Sequence, residues 1–303
     1  MFKETLLHFA QNQHLRDFVT HNPTTRHVSR RFVAGEALNE AVQATRVLNS
    51  KSIQATLNLL GENVSDEKQA RAATQTYITM LDAIKQADID ANISVKLTAL
   101  GLDISQALCE ENTRAILQHA QRDSIFVCID MEDARYTEQT VDITLRMHEQ
   151  FEHVGTVIQA YLYRSMQDIE RLTAQNVRVR LVKGAYKESK AVAFQHKSEV
   201  DINYAKLMMP LLVHGNFPAI ATHDEAIIDA ACTYVSDYGI SKSAFEFQML
   251  YGVRRDLQEK LVHQGYNVRV YVPYGSQWYP YLIRRMAERP TNLMFVMSNM
   301  LRG

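Results

Sequence analysis

Eight short runs of β-branched and aliphatic residues recur along this chain, each leading into a longer amphipathic stretch. That rhythm limits the folds open to it. The runs lie at 53–60, 93–97, 125–129, 156–161, 177–182, 219–221, 245–248 and 268–272. Strands that alternate with helices pair in parallel, because a parallel neighbour is reached only through a crossover. The helical stretches begin near Ser65-Asp66, Asp103, Thr137, Ser165, Lys187, Asp224, Gly252 and Ser276, with SDEK at 65–68 and TEQT at 137–140 as N-cap signals. Eight such units over about 250 residues have the size of a (β/α)8 TIM-like barrel. An open doubly wound sheet shares the rhythm, but no GxGxxG follows the first strand and Gly61-Glu62-Asn63 does not replace it. Residues 1–50 lack strand alternation, and 36–48 places Leu38, Val42 and Val47 at helical spacing. The expected division is therefore an N-terminal helical segment, 1–50, and a barrel, 51–303.

Bulk properties exclude several function classes. The formal net charge of −1 gives no electrostatic case for nucleic acid. The three cysteines, Cys109, Cys128 and Cys232, are far apart with no CxxC, which suits a reducing compartment and offers neither a zinc site nor a disulfide framework. No apolar run approaches the roughly 18 residues of a membrane span, and the opening MFKE is no signal peptide. The expectation is a cytoplasmic protein with peripheral membrane contact left open. The run at 291–301 (TNLMFVMSNML) is amphipathic and suits either packing on the barrel or such a contact.

Chemistry in a barrel sits at the strand C-termini, and here those ends are polar. They carry Glu62, Lys96, Asp130 with Glu132, Gln159 with Arg164, Arg180 with Lys183, Thr222 with His223, Glu246 with Gln248, and Tyr271 with Tyr274. Polar groups gathered at one end of eight strands are expensive to bury without a ligand. Each has a plainer reading alone; Lys96 and Asp130, for example, suit a simple ion pair. In the stretch RLVKGAY at 180–186, two cations bracket an apolar pair and small residues follow. That pattern suits a phosphate-bearing or electron-accepting cofactor. After the last strand, Tyr281, Arg284, Arg285 and Glu288 stand at i, i+3, i+4 and i+7, on one helix face. Paired Arg forks grip a carboxylate or phosphate bidentately, whereas a solvated face with an Arg285–Glu288 pair is the commonplace alternative. His223-Asp224-Glu225 is a poor metal site, since no second histidine stands at another strand end, and no GxSxG or strand-end cysteine suggests a nucleophile.

Taken together, VRVRLVKGAY (177–186), ATH (221–223), FEFQMLYG (245–252), YVPYG (271–275) and YLIRRMAE (281–288) resemble the signature blocks of the flavin-dependent proline dehydrogenases, as do LLGE (59–62) and IDME (129–132). The resemblance covers about residues 50–303 and is closest to the monofunctional bacterial form. It implies a distorted (β/α)8 barrel that binds FAD, oxidises L-proline to 1-pyrroline-5-carboxylate and passes electrons to a membrane quinone. It further implies that Arg284, Arg285 and Lys96 bind the substrate carboxylate, and that Tyr186, Leu250, Tyr271 and Tyr281 wall its ring. Asp130 and Arg180 are the implied catalytic pair, Arg180 lying beside the flavin. Met131, Gln159, Val182, Lys183, Gly184, Ala185, Thr222, His223, Gln248 and Glu288 are implied flavin contacts, and Glu62 a gate that pairs with Arg284. Asn58 and Asp224 stand where the family often has Asp and Asn, and neither is expected at the reaction centre. A flavin barrel of the methylenetetrahydrofolate reductase type and a non-catalytic anion-binding barrel are the rival readings.

Overall fold

The apolar runs pair as eight parallel strands that close on themselves: β1 (Gln54–Leu59), β2 (Ala91–Val95), β3 (Val127–Ile129), β4 (Val154–Gln159), β5 (Arg178–Val182), β6 (Ala219–Ala221), β7 (Glu246–Leu250) and β8 (Asn267–Tyr274). Leu57 of β1 is in register with Ile93 of β2 on one side and Val272 of β8 on the other, which shuts the barrel. The helices are α1 (Leu38–Asn49), α2 (Glu67–Ala87), α3 (Gln106–Gln121), α4 (Thr137–His148), α5 (Ser165–Ala174), α6 (Lys197–His214), α7 (Glu225–Asp237), α8 (Arg255–His263) and α9 (Trp278–Glu288). This computed structural model describes residues 29–62 and 64–288, of which 284–288 by backbone only. Most of the expected helical prelude, and the amphipathic run at 291–301, lie outside the described residues. Among the described residues no helix is long and apolar enough to cross a membrane.

Period-2 alternation divides each strand between two environments. Leu57, Ile93, Val127, Leu181, Ile220, Phe247 and Val270 point outward and form one buried cluster with Met80, Ile116, Ile143, Leu172, Leu207, Ile228 and Leu261 of the helices. The other face looks into the barrel, and it is not the usual stack of branched aliphatics. Arg180 of β5 reaches Ser94 of β2, three strands away, so its side chain crosses the interior. Thr56 donates to Asn92 there at 2.6 Å. At the floor, Glu246 is 0% exposed. Arg178 Nη2 lies 2.7 Å from one of its carboxylate oxygens, and Arg269 Nε 3.0 Å from the other. Arg269 also donates to Gln54 and to the Ala55 carbonyl, while Arg178 is stacked between Phe126 and Phe217. Burial opposes the Glu246 charge, but Arg269 and Arg178 outweigh it and hold the carboxyl below the usual range.

The circuit of helices is irregular where the ends of the barrel meet. In a regular barrel the helix after β8 fills the gap against β1; here α1 packs on both β8 and β1. The helix after β8, α9, instead joins a separate apolar cluster of Phe32, Val33, Leu60, Trp278, Tyr279, Tyr281, Leu282 and Ile283 over the C-terminal mouth. The resemblance implies a distorted barrel without saying where, and the departure lies in these two helices.

Several local expectations are corrected. The helix placed near Lys187 starts ten residues later, because 192–194 folds back on 161–163, with Tyr163 N donating to Val192 O and Phe194 N to Tyr161 O. Those bonds take the Val192 carbonyl and the Phe194 amide, backbone groups that a helix would use. The helices placed near Asp103, Gly252 and Ser276 begin at Gln106, Arg255 and Trp278. Asp66 caps α2 by accepting from Gln69 N, but TEQT caps nothing: α4 runs straight on from a 3-10 turn at Ala134–Tyr136, and the Thr137 hydroxyl has no partner. Val47 is 61% exposed; the buried face of α1 is Ala41, Val42 and Thr45. Glu246→Gln would leave two buried guanidiniums without a carboxylate between them. It is expected to lower the unfolding free energy by about 3–5 kcal/mol, read as a fall in the urea midpoint.

Candidate active site

The C-terminal ends of the strands surround one cavity of about 490 Å³, within the usual range for small-molecule clefts. Every expected site residue whose side chain is described lines it. From the first four strands and their loops come Glu62, Lys96, Asp130, Met131 and Gln159. From β5 and beyond come Arg180, Val182, Lys183, Gly184, Ala185, Tyr186, Thr222, His223, Gln248, Leu250, Tyr271 and, on α9, Tyr281. The side chains of Arg284, Arg285 and Glu288 lie outside the described residues, although the α9 backbone carries their positions one and two turns past Tyr281 on the same face.

At the centre, Asp130 is engaged on both oxygens. Arg180 Nη1 donates to Oδ1 at 2.8 Å and the Tyr271 hydroxyl to Oδ2 at 2.6 Å. Asp130 therefore pairs with Arg180, and the simple Lys96–Asp130 ion pair is not formed. Burial first, and then the Asp130 charge, push Tyr271 well above its ordinary value, so its hydroxyl remains a donor at neutral pH. Arg180 is 6% exposed; Nη2 donates to Ser94 at 3.1 Å, and Nε is buried with no hydrogen-bond partner. A buried donor left unanswered on a cavity wall marks where an acceptor is wanted.

Asn58 stands closer to the centre than the resemblance suggested: it lines the cavity, and its Oδ1 lies 3.5 Å from Lys96 Nζ. Asp224 lines the mouth and pairs with Lys183 at 2.7 Å. His223 Nε2 accepts from Leu250 N at 2.8 Å, which fixes the proton of the neutral ring on Nδ1 and ties the β6 end to β7. Gly184 holds φ +109°, and a Cβ there would fall 2.4 Å from the Tyr161 ring, so the turn after β5 has room only for glycine.

Four of the polar strand-end residues are not on the cavity wall, and one of them, Tyr274, is buried in the core. Arg164 turns outward to Asp168 and Glu138, Glu246 belongs to the floor, and Glu132 stands behind the wall. Glu132 is 5% exposed and accepts from Thr98 N at 3.1 Å and Thr98 Oγ1 at 2.6 Å, while its carbonyl receives Gln159 Nε2 at 2.8 Å. It thereby fixes the turn after Lys96 and the Gln159 amide together. Lys197, missed in the sequence, also lines the mouth. It is the first residue of α6, ten positions or more from any strand end, and nothing local marks it.

A closed parallel barrel with a buried cation, a tyrosine–carboxylate pair and aromatic walls at its strand C-termini defines an α/β-barrel enzyme. A family model described as proline dehydrogenase matches residues 41–298. Proline dehydrogenase 1 of Bacillus subtilis subsp. natto is 43% identical over 302 residues, the whole of both chains. The proline dehydrogenase of Deinococcus radiodurans is 42% identical over 281 residues, 91% of each. Among solved structures, proline utilization A (PutA) of Bdellovibrio bacteriovorus matches with a TM-score of 0.81 at 27% identity. The match covers 87% of this chain but 33% of that longer one. This chain belongs to the proline dehydrogenase family.

Burial raises the Glu132 carboxyl to about 7, against the two Thr98 hydrogen bonds and Lys96. A carboxyl raised on folding adds stability below its unfolded pKa and loses it as pH rises through the folded value. Between pH 4.5 and 7.5 the native protein should thus lose about 3 kcal/mol relative to Glu132→Gln, which still offers Thr98 an acceptor. Denaturant titrations of both proteins across that range measure the difference.

Proposed function

We propose that this chain oxidises L-proline to 1-pyrroline-5-carboxylate with FAD as its bound flavin, the first step of proline catabolism, and that a membrane quinone is the eventual electron acceptor. The observation that carries the reading is that one cavity is lined both by the buried Arg180 guanidinium and by a box of Tyr186, Leu250, Tyr271 and Tyr281. Family membership supports the same substrate. Three free cysteines suit the reducing cytoplasm, and a quinone acceptor calls for peripheral contact with the membrane.

The residues fit a flavin. Arg180 Nε is an unanswered buried donor, Gln159 and Gln248 bring carboxamides to the walls, and Val182, Gly184, Ala185 and Ala221 leave a low surface against which a flat ring can lie. Gln159, Lys183, Thr222, His223 and Gln248, with Met131 and Glu288, are the residues assigned to hold it. When bound, FAD supplies the hydride acceptor.

The chain's own work is orientation and exclusion of water. Asp130 holds Arg180 and Tyr271 in place through its two oxygens, so the cation and the phenol ring are presented as a rigid wall. Lys96, with Arg284 and Arg285 on α9, is assigned to the substrate carboxylate, and the aromatic and leucine walls to the five-membered ring. Proline offers a carboxylate, an apolar ring and a secondary amine, and an arginine fork beside an apolar box answers the first two. Glu62, in the loop after β1 and on the cavity wall, is the assigned gate.

The decisive experiment is the absorbance spectrum of the purified protein before and after anaerobic addition of L-proline, with NADH as the parallel reductant. Bleaching of a flavin band by proline alone is expected. Bleaching by NADH alone would favour the reductase type, and a colourless protein that takes up no flavin a non-catalytic barrel. Arg285→Met should raise KM for proline by about 3 kcal/mol, more than 100-fold, with flavin content unchanged; unaltered proline kinetics would remove the carboxylate assignment.

A further inference from the structure

At the mouth of the cavity four charged side chains form a closed ring. Lys183 Nζ lies 2.5 Å from Asp201 and 2.7 Å from Asp224. Lys197 Nζ lies 3.1 Å from the same Asp224 oxygen and is also bonded to Asp201. The ring joins three elements: Lys183 just past β5, Lys197 and Asp201 on the first turns of α6, and Asp224 at the position before α7. Lys183, Lys197 and Asp224 line the cavity, and Asp201 stands behind them. Two cations against two carboxylates leave the mouth neutral, although its lysines are what an anionic ligand would seek.

Asp224 has no evident structural duty that requires its charge. Its side chain makes no cap bond to α7, and ion pairs of this exposure contribute little to folding. The two lysines outweigh burial and hold its carboxyl at about 2, so it carries its charge throughout the neutral range. An approaching phosphate therefore meets a fixed negative charge and two lysines already engaged.

We propose that Asp224 is the residue that limits how tightly the cavity holds its anionic cofactor, by engaging Lys183 and Lys197 at the mouth; the proposal rests on the FAD reading. Removal of its charge releases one carboxylate's hold on both lysines and takes a repulsion away from the phosphates. The effect is electrostatic, so it shrinks as salt rises, and it vanishes for a flavin without phosphates.

The test is the affinity of the flavin-free full-length protein for FAD, read from quenching of flavin fluorescence, beside the same titration with riboflavin. Asp224→Asn keeps the shape and remains a good residue at a helix start. It should bind FAD about tenfold more tightly at low salt, with the gap closing at high salt and no change for riboflavin. Asp224→Ser should behave alike, which separates charge from the particular side chain. Thermal unfolding of the flavin-free forms establishes that each variant is folded. Equal or weaker FAD binding by the folded variants, or an equal gain for riboflavin, would overturn the proposal. If the wild-type chain reduces no flavin with proline yet binds FAD and the variants bind it more tightly, the substrate reading fails while this one stands. A wild-type chain that binds neither flavin overturns the cofactor reading and this proposal together.

Discussion

One guanidinium holds the middle of this barrel. Arg180 spans the interior from β5 to Ser94 on β2 and Asp130 beyond β3, and Asp130 in turn takes the Tyr271 hydroxyl from β8. Four staves of the barrel are thereby linked through hydrogen bonds in a place where water is scarce and each bond is correspondingly strong. Below it, Glu246 between Arg178 and Arg269 closes the floor. Three guanidiniums stand against two carboxylates, so the interior keeps a positive excess near the cavity. Burying such groups is expensive unless the network is nearly complete. Arg180 Nε is a buried donor left without a hydrogen-bond partner, on a residue that lines the cavity.

The shape of the site follows from the irregular circuit of helices. Because α1 occupies the groove between β8 and β1, α9 is free to lie across the mouth on Phe32, Val33 and Leu60. That placement brings Tyr281 to the cavity, and it sets the positions of Arg284 and Arg285 on the turn that follows. Glu132 supports the opposite wall from behind, by holding the Thr98 turn and the Gln159 amide with one side chain and its own carbonyl. A rigid wall on one side and a helix laid over the top on the other form a pocket that can orient a small ring.

Much of this was legible in the residues. Strand and helix alternate in pattern because each strand buries its outward face under a helix, so the eight runs survive as eight strands with ends shifted by a residue or two. The cavity walls were legible because polar residues at strand C-termini have few other uses. What was not legible depended on contacts between distant segments. The start of α6 is set by 192–194 folding back on 161–163, the partner of Asp130 by a side chain 50 positions away, and the place of Lys197 by the loop that precedes it. Glu246 reads like any other strand-end carboxylate; its depth at the floor follows from the register of β7 with β6 and β8.

The sequence by itself determined the eightfold alternation of strand and helix, the strand ends where chemistry is done and most of the residues around them, since periodicity and residue chemistry are local properties carried by each segment. The tertiary structure alone decided which charges meet: Asp130 with Arg180 and Tyr271 rather than Lys96, Glu246 with the floor, and Asp224 and Asp201 with the lysines at the mouth. Pairing energies depend on distance and burial, and both are fixed only when strands and loops far apart in the chain close around the same space.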